Sequence, residues 1–329
     1  MKLYENIFNY KINFVYFLWY NIIINRDFHG NSFKEGFKMK ILTARILSLF
    51  GIALLVAAMV FLFASCDNDL DSGGDSRDSV KILGSGTHGD FQYNYTASTI
   101  IITGYTGSGG DVSIPKTIKG KPVTAIRDGS YFTGVFYKKQ LTSVTIPDSV
   151  ISIGAWAFLG DLLESGSITH NQLTNVLIPD SVTSIGEGAF AANPLTSITI
   201  GNNVTSIEEY AFGYTQLTNV IIPDSVIYLN GFNGNPLLTN VTIGNNVISI
   251  GIQAFYQSNL TSVTIPGSVT FIEKYAFVYN QLTSITIGAN VTFDDEEQSF
   301  DDDFDYKYDH YGKVAGTYTL IGTSWEKVN

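Results

Sequence analysis

Between Leu141 and Phe293 the chain carries one lysine, Lys274, and no arginine. Over all 329 residues only 15% are Asp, Glu, Lys or Arg, against about 25% in ordinary soluble proteins. Serine, threonine, asparagine and glycine must therefore cover surface that lysine and glutamate normally would. There is a single cysteine, Cys66, which excludes a disulfide within the chain. Basic charge is scarce as well: 19 Lys and Arg stand against 30 Asp and Glu, a net charge of −11. Seven of those basic and three of those acidic residues precede Cys66, so from Cys66 onward the balance is 12 against 27, or −15. Such a chain repels phosphate backbones and is not expected to take nucleic acid as a partner.

Catalytic and metal-binding patterns are equally thin. His88, His170 and His310 stand apart from any metal-ligand spacing and read as solvated loop residues. "GYTGSGGD", Gly104 to Asp111, lacks the lysine and the following helix of a phosphate loop, and reads as a turn. In "DDEEQSFDDDFDYKYDH", Asp301, Asp303 and Asp305 sit at alternate positions. However, Tyr306 stands where a calcium-binding EF-hand loop needs glycine, and Gly312 where it needs glutamate. A solvated acidic face is the expectation, with no metal, no cofactor and no enzymatic activity.

The N-terminal region is organised differently. "KMKILTARILSLFGIALLVAAMVFLFASC" runs from basic residues through an apolar stretch, Ile46 to Phe63, to small residues before Cys66. That is the order of a secretory signal. A cysteine at the cleavage point makes it resemble a bacterial lipoprotein signal, with Cys66 the lipidated residue. The alternative is an uncleaved anchor, since ~18 apolar residues can span a bilayer. Residues 1–38 fit neither pattern and read as a leader preceding a true start at Met39. This gives 39–65 as signal peptide and 66–88 as an acidic, Gly/Ser-rich flexible tether. Both readings carry the remainder out of the cytoplasm.

A phrase then repeats. "LTSVTIPDSVISIGAWAF" at Leu141 returns as "LTNVLIPDSVTSIGEGAF" at Leu173 and "LTSVTIPGSVTFIEKYAF" at Leu260. The leading leucine falls at Leu141, Leu173, Leu195, Leu217, Leu238, Leu260 and Leu282, spaced by 32, 22, 22, 21, 22 and 22. A period of 20–30 residues is the signature of a solenoid. Each unit opens with alternating apolar residues such as Val144 and Ile146, a strand pattern. Proline or glycine ends that strand, a second short extended piece follows, and a helical or 3₁₀ turn carries an Ala-Phe pair. No 22-residue unit can bury its own apolar face, so the units must stack. The expected fold is a β-rich solenoid of about seven coils over 141–293, capped at both ends. Residues 89–140 would form an N-terminal cap and first irregular repeat, and 294–329 an acidic segment and C-terminal tail. Residues Leu159–Gln172 are an insertion that should bulge. Gly231-Phe232 replaces the Ala-Phe pair, which predicts irregular packing of that coil.

These repeats closely resemble the BspA-type leucine-rich repeat of bacterial surface proteins. Tyr93–Ile126 resembles the cap that commonly precedes such arrays, and Gly312–Lys327 a tail seen in spirochaetal members. The resemblance implies a lipid-anchored surface protein, held at the membrane through its N-terminal lipid, that binds a protein or glycan on a host or bacterial surface. With such a signal, the N-x-T sequons at Asn203, Asn240, Asn259 and Asn290 are not read as glycan sites.

With Val144 and Ile146 inward, residues 143 and 145 point outward. Two columns result on stacking: Ser143, Asn175, Ser197, Asn219, Asn240, Ser262 and Ser284, beside Thr145, Leu177, Thr199, Ile221, Thr242, Thr264 and Thr286. This long uncharged ladder is the expected ligand-binding face. The other readings are a structural envelope spacer and, remotely, ice binding, which the breaks in the threonine column at Leu177 and Ile221 disfavour.

Overall fold

The computed structural model describes residues 81–130, 133–160, 170–294, 298–301 and 303–328. Cys66, the apolar stretch and the first part of the tether lie outside these residues. What is described is a β-solenoid of about eight turns, each contributing one strand to each of two walls.

The first wall is built from Gly110–Ser113, Leu141–Thr145, Asn175–Leu177, Ser197–Thr199, Asn219–Ile221, Asn240–Thr242, Ser262–Thr264 and Ser284–Ile287. The second is built from Lys121–Ile126, Ser152–Ile153, Ser184–Ile185, Ser206–Ile207, Tyr228–Leu229, Ser249–Ile250, Phe271–Ile272 and Thr292–Phe293. One turn more than the seven leucine-led units is present, because Gly110–Ile126 winds as a full coil. The second wall is an unbroken parallel ladder, with Ile126, Ile153, Ile185, Ile207, Leu229, Ile250 and Ile272 in register facing the core.

The first wall is laddered two coils at a time: 110–113 with 141–145, 175–177 with 197–199, 219–221 with 240–242, and 262–264 with 284–287. In three of these pairs the first coil carries proline after its strand (Pro179, Pro223, Pro266) and the second carries glycine (Gly201, Gly244, Gly288). At Gly201 and Gly244 a Cβ would collide with the carbonyl of Pro179 or Pro223 directly beneath. The same two junctions are clamped from the side. Asp180 accepts a bond from the Asn202 N–H at 2.7 Å, and Asp224 one from the Asn245 N–H at 2.7 Å.

The core is a column of rings. Phe136, Phe158, Phe190, Phe212, Phe232, Phe255, Phe277 and Phe300 stack one per coil, centroids 4.7–5.7 Å apart and planes within 17°. All eight are buried. Phe232 keeps its place, so the expected irregularity of its coil is corrected. Leu229 to Phe232 is three residues where Ile207 to Phe212 is five. Gly231, at φ 93°, makes the tight corner, and its carbonyl accepts the Phe212 N–H as an alanine carbonyl does in other coils.

Beside the rings runs a ladder of buried asparagines. Asn193 Nδ2 donates to the carbonyls of Phe158 and Phe190 at 2.8 and 3.0 Å, and its Oδ1 accepts the Leu173 N–H at 3.2 Å. Asn280 repeats this on Phe255, Phe277 and Leu260. Asn235 does the same on Phe212, Phe232 and Thr215, and Asn171 on Phe136, Leu159 and Leu141. Each satisfies three backbone groups that the tight corner leaves without a ladder partner.

At the N-terminal end, Gly84–His88 pairs antiparallel with Phe91–Tyr95. These residues were expected to close the flexible tether. They are instead a strand, because Gly84 and Gly86 leave room for the rings of Tyr95 and Tyr93: a Cβ on either would lie 2.6 Å from the opposing hydroxyl. At the other end the helix Phe304–His310 buries Phe304 and Tyr308, and the first wall is extended by Gly316–Ile321, antiparallel to Ser284–Ile287, and by Ser324–Lys327, antiparallel to Gly316–Ile321. Phe300, Phe304, Tyr318 and Trp325 are buried together there.

Two further expectations change. His170 is not a solvated loop residue: it is buried, edge-on to the Tyr137 ring at 5.8 Å. Nor is the acidic run simply a solvated face, because its aspartates accept backbone N–H groups. Asp301 takes those of Tyr279 and Asn280, and Asp305 that of Ser299.

Candidate binding face

Thr–Val–Thr-type alternation sends one side chain in and the next out, and β-branched residues suit both positions. The burial pattern follows that rule. Val176, Val220 and Val263 are buried, while Ser143, Asn175, Ser197, Asn219, Asn240 and Ser262 are exposed, as are Thr145, Thr199, Thr242 and Thr264. Ser284 and Thr286 are half-buried, because the strand Gly316–Ile321 lies alongside and Thr317 shares a hydroxyl bond of 3.0 Å with Thr286. In the second column Leu177 is 62% exposed and Ile221 74%. They are the most exposed large aliphatic side chains among the described residues.

A third column adjoins these two: Thr142, Thr174, Thr196, Thr218, Thr239, Thr261 and Thr283, exposed at every coil but that of Thr239, which is half-buried. Sequence reasoning passed over it, because strict alternation from Val144 would turn Thr142 inward. The signal was present as the invariant "LT" opening of all seven units. The chain turns the corner between Leu141 and Thr142, so the leucine is buried and the threonine emerges with the serine beside it.

The polar groups of the face bond to each other as well as facing water. Asn175, Asn219 and Asn240 each donate Nδ2 to the preceding threonine hydroxyl at 3.0–3.2 Å. Asn240 also donates to Asn219 Oδ1 at 2.9 Å, and the Ser197 hydroxyl donates to Asn175 Oδ1. Thr196, Thr239 and Thr283 bond back to the carbonyls of Thr174, Thr218 and Thr261 at 3.3–3.4 Å. At the N-terminal rim Asp111 accepts from both Thr142 and Ser143. These bonds fix the orientation of the donors and acceptors on the face.

No titratable group lies within the three columns. Carboxyls with displaced pKa values sit at the turns after the second wall: burial first, then repulsion from Glu208, pushes Glu187 up, and burial first, then repulsion from Glu187, Glu273 and Glu208, pushes Glu209 up. Among the described residues no group of three or more His, Cys, Asp or Glu side chains could hold a metal ion.

Several solved structures are similar to the chain at low identity. A leucine-rich cell surface protein from Faecalibacterium prausnitzii is 24% identical, over 66% of this chain and 77% of that one, with a TM-score of 0.34. The Treponema pallidum leucine-rich repeat protein is 24% identical, over 52% and 87%, with a TM-score of 0.40. The pneumococcal vaccine antigen PcpA is 18% identical, over 64% and 51%, with a TM-score of 0.46. No curated protein matches the chain. The model of the BspA type leucine-rich repeat region matches in six copies across residues 132–235, 163–283 and 226–302, more than half of the chain. With that match over coils whose strands, phenylalanines and corners recur in register, the chain belongs to the BspA-type leucine-rich-repeat family.

Proposed function

We propose that this protein is a cell-surface binding module that presents its first wall to a protein or glycan on a host or bacterial surface. One observation carries the reading: three adjacent columns of hydroxyls and amides, without a charge and already hydrogen-bonded to one another, hold Leu177 and Ile221 out to solvent. A soluble scaffold gains nothing by exposing two large aliphatic side chains in one column. Solenoids characteristically bind through such extended surfaces. Each polar contact contributes only ~0.5–1.5 kcal/mol net, so affinity must come from many coils together.

Attachment belongs to the same proposal. Cys66 would carry the lipid and leave the solenoid outside the inner membrane, on the outer membrane or the cell surface. Among the described residues no helix is long and apolar enough to cross a membrane.

The test is binding of purified protein to immobilised matrix proteins, with Thr145, Leu177, Thr199 and Ile221 changed to lysine singly and together. Graded loss supports the face. Undiminished binding by the quadruple variant would move the site to Leu159–Gln172 or the termini.

A further inference from the structure

The face has an internal symmetry that its columns alone do not show. Leu177 and Ile221 lie in one column on either side of Thr199, one coil away in each direction. Asn175 and Asn219 flank Ser197 in the same way. Strands 175–177 and 197–199 are hydrogen-bonded at the usual ~4.8 Å and 219–221 follows one coil on without a ladder bond, so the two aliphatic side chains are separated by at least roughly 10 Å.

We propose that the partner of this face is a second copy of the chain, packed face to face about a two-fold axis that runs along the strand Ser197–Thr199. This rests on the reading that the first wall is the contact surface. Rotation about that axis turns each column onto itself and exchanges the coils on either side. Leu177 then meets Ile221 of the second copy, and Ile221 meets its Leu177, so four exposed aliphatic side chains bury one another. Asn175 meets Asn219, an amide against an amide with donor and acceptor on each. Thr145 meets Thr242, and Ser143 meets Asn240. An axis along any other strand, or between strands, sets Leu177 or Ile221 against a hydroxyl. Among axes parallel to the strands only this register matches apolar to apolar throughout, and it is closed and isologous, as two-fold interfaces must be. An axis along the column would instead set Leu177 on Leu177, and the mixed charge variants below would then show no restored association. Packed sheets rotate by ~30° relative to one another, which parts the distant coils but leaves those beside the axis in contact.

Charge supports the same occupant. Two copies each carrying −11 repel through most of their surfaces. The three columns bring no charge of their own, and the one carboxylate in line with them, Asp111 beside Ser143, lies at a coil distant from the axis, so a like-charged copy can approach at the central coils without desolvating a carboxylate.

The experiment is sedimentation equilibrium of the full chain in detergent, which occupies the N-terminal apolar stretch in every variant alike. Leu177→Lys and Ile221→Glu are made singly and together, with unchanged thermal melts confirming folding. Wild-type protein should self-associate, and each single variant should do so at least about tenfold more weakly, because a charge would be buried against an aliphatic side chain. Mixing the two single variants should restore association, since the Leu177→Lys side chain of one faces the Ile221→Glu side chain of the other while the second contact stays apolar. The double variant should associate with itself for the same reason. Single variants that associate like wild type, or a mixture no stronger than its components, would overturn the proposal. If wild type stays monomeric while the quadruple lysine variant loses matrix binding, the second copy is wrong and the binding face stands. If neither measurement responds, both are wrong.

Discussion

The carbonyl of Pro179 occupies the space a side chain on Gly201 would need. This contact joins two coils into a pair, and it recurs between Pro223 and Gly244. The "IPDS" and "IGNN" phrases alternate for that reason: proline with aspartate below, glycine with asparagine above.

Gly201→Ala should therefore destabilise the fold by ~1–3 kcal/mol through overpacking. Gly267 is the control. It stands where other coils carry aspartate, and a Cβ there meets nothing within 4 Å. Gly267→Ala should be neutral or stabilising by up to ~1 kcal/mol. Denaturant titrations of both variants read the difference, and equal losses would show that the Pro179 carbonyl is not the cause.

Phe212 sits in the ring column between Phe190 and Phe232, at 5.5 and 5.3 Å. Phe212→Ala should cost ~3–5 kcal/mol. Thr199→Ala, on the exposed side, should cost less than half as much. Thermal melts showing equal losses would mean the assignment of inside and outside is wrong.

Asn193→Asp separates hydrogen bonding from size. A carboxylate can still accept the Leu173 N–H but cannot donate to the carbonyls of Phe158 and Phe190. Two buried acceptors lose their partner and acquire a like-signed neighbour, at a cost of several kcal/mol near neutral pH, ~1–3 for each unsatisfied group. Lowering the pH to protonate the carboxyl should recover part of this, as a pH series of melting temperatures would show.

Asp305 gives the wild-type protein its own pH dependence. Burial, with a smaller push from Asp309, raises its pKa from 3.8 to about 7, although the Ser299 N–H donates to it at 2.6 Å. Because the folded value lies above the unfolded one, the contribution is fully present below about 3.8 and is lost as pH rises through about 7. The C-terminal helix should loosen over that window. Asp305→Asn, which still accepts the Ser299 N–H, should flatten the dependence, measured by amide exchange at Phe304–His310.

Binding through the first wall should change little between low and high salt, because the columns carry no charge to be screened. A steep decline with salt, in a surface-capture assay, would point instead to the carboxyls at the turns.

Much of this was legible before any coordinates. The leucine spacing located seven of the eight coils and missed the one wound by Gly110–Ile126, while alternation at Val144 and Ile146 separated inward from outward side chains within the strands. What escaped were features that depend on the coil above or below. Asn193 looks like a loop residue in "AANPL", and only stacking shows that it reaches two phenylalanine carbonyls. The shortened coil looked defective at Gly231-Phe232 because one sequence cannot show that a two-residue deficit before the phenylalanine is partly repaid by an extra residue after it. Thr142 was lost to a rule that holds within a strand and fails at its corner. His170 looked solvated because the Tyr137 ring that shelters it is 33 positions away in the sequence.

The paired coils also set the increments by which this molecule can change size. Removing Leu217–Asn259 would excise one proline coil and one glycine coil, and leave Gly201 still over Pro179 and Gly288 still following Pro266. Removing Leu217–Leu237 alone would bring the Gly244 coil down onto the Gly201 coil, with neither the carbonyl shelf nor the aspartate clamp between them. Growth and loss by internal duplication are thus easiest two turns at a time, and the length of the solenoid is a quantity that changes in double steps.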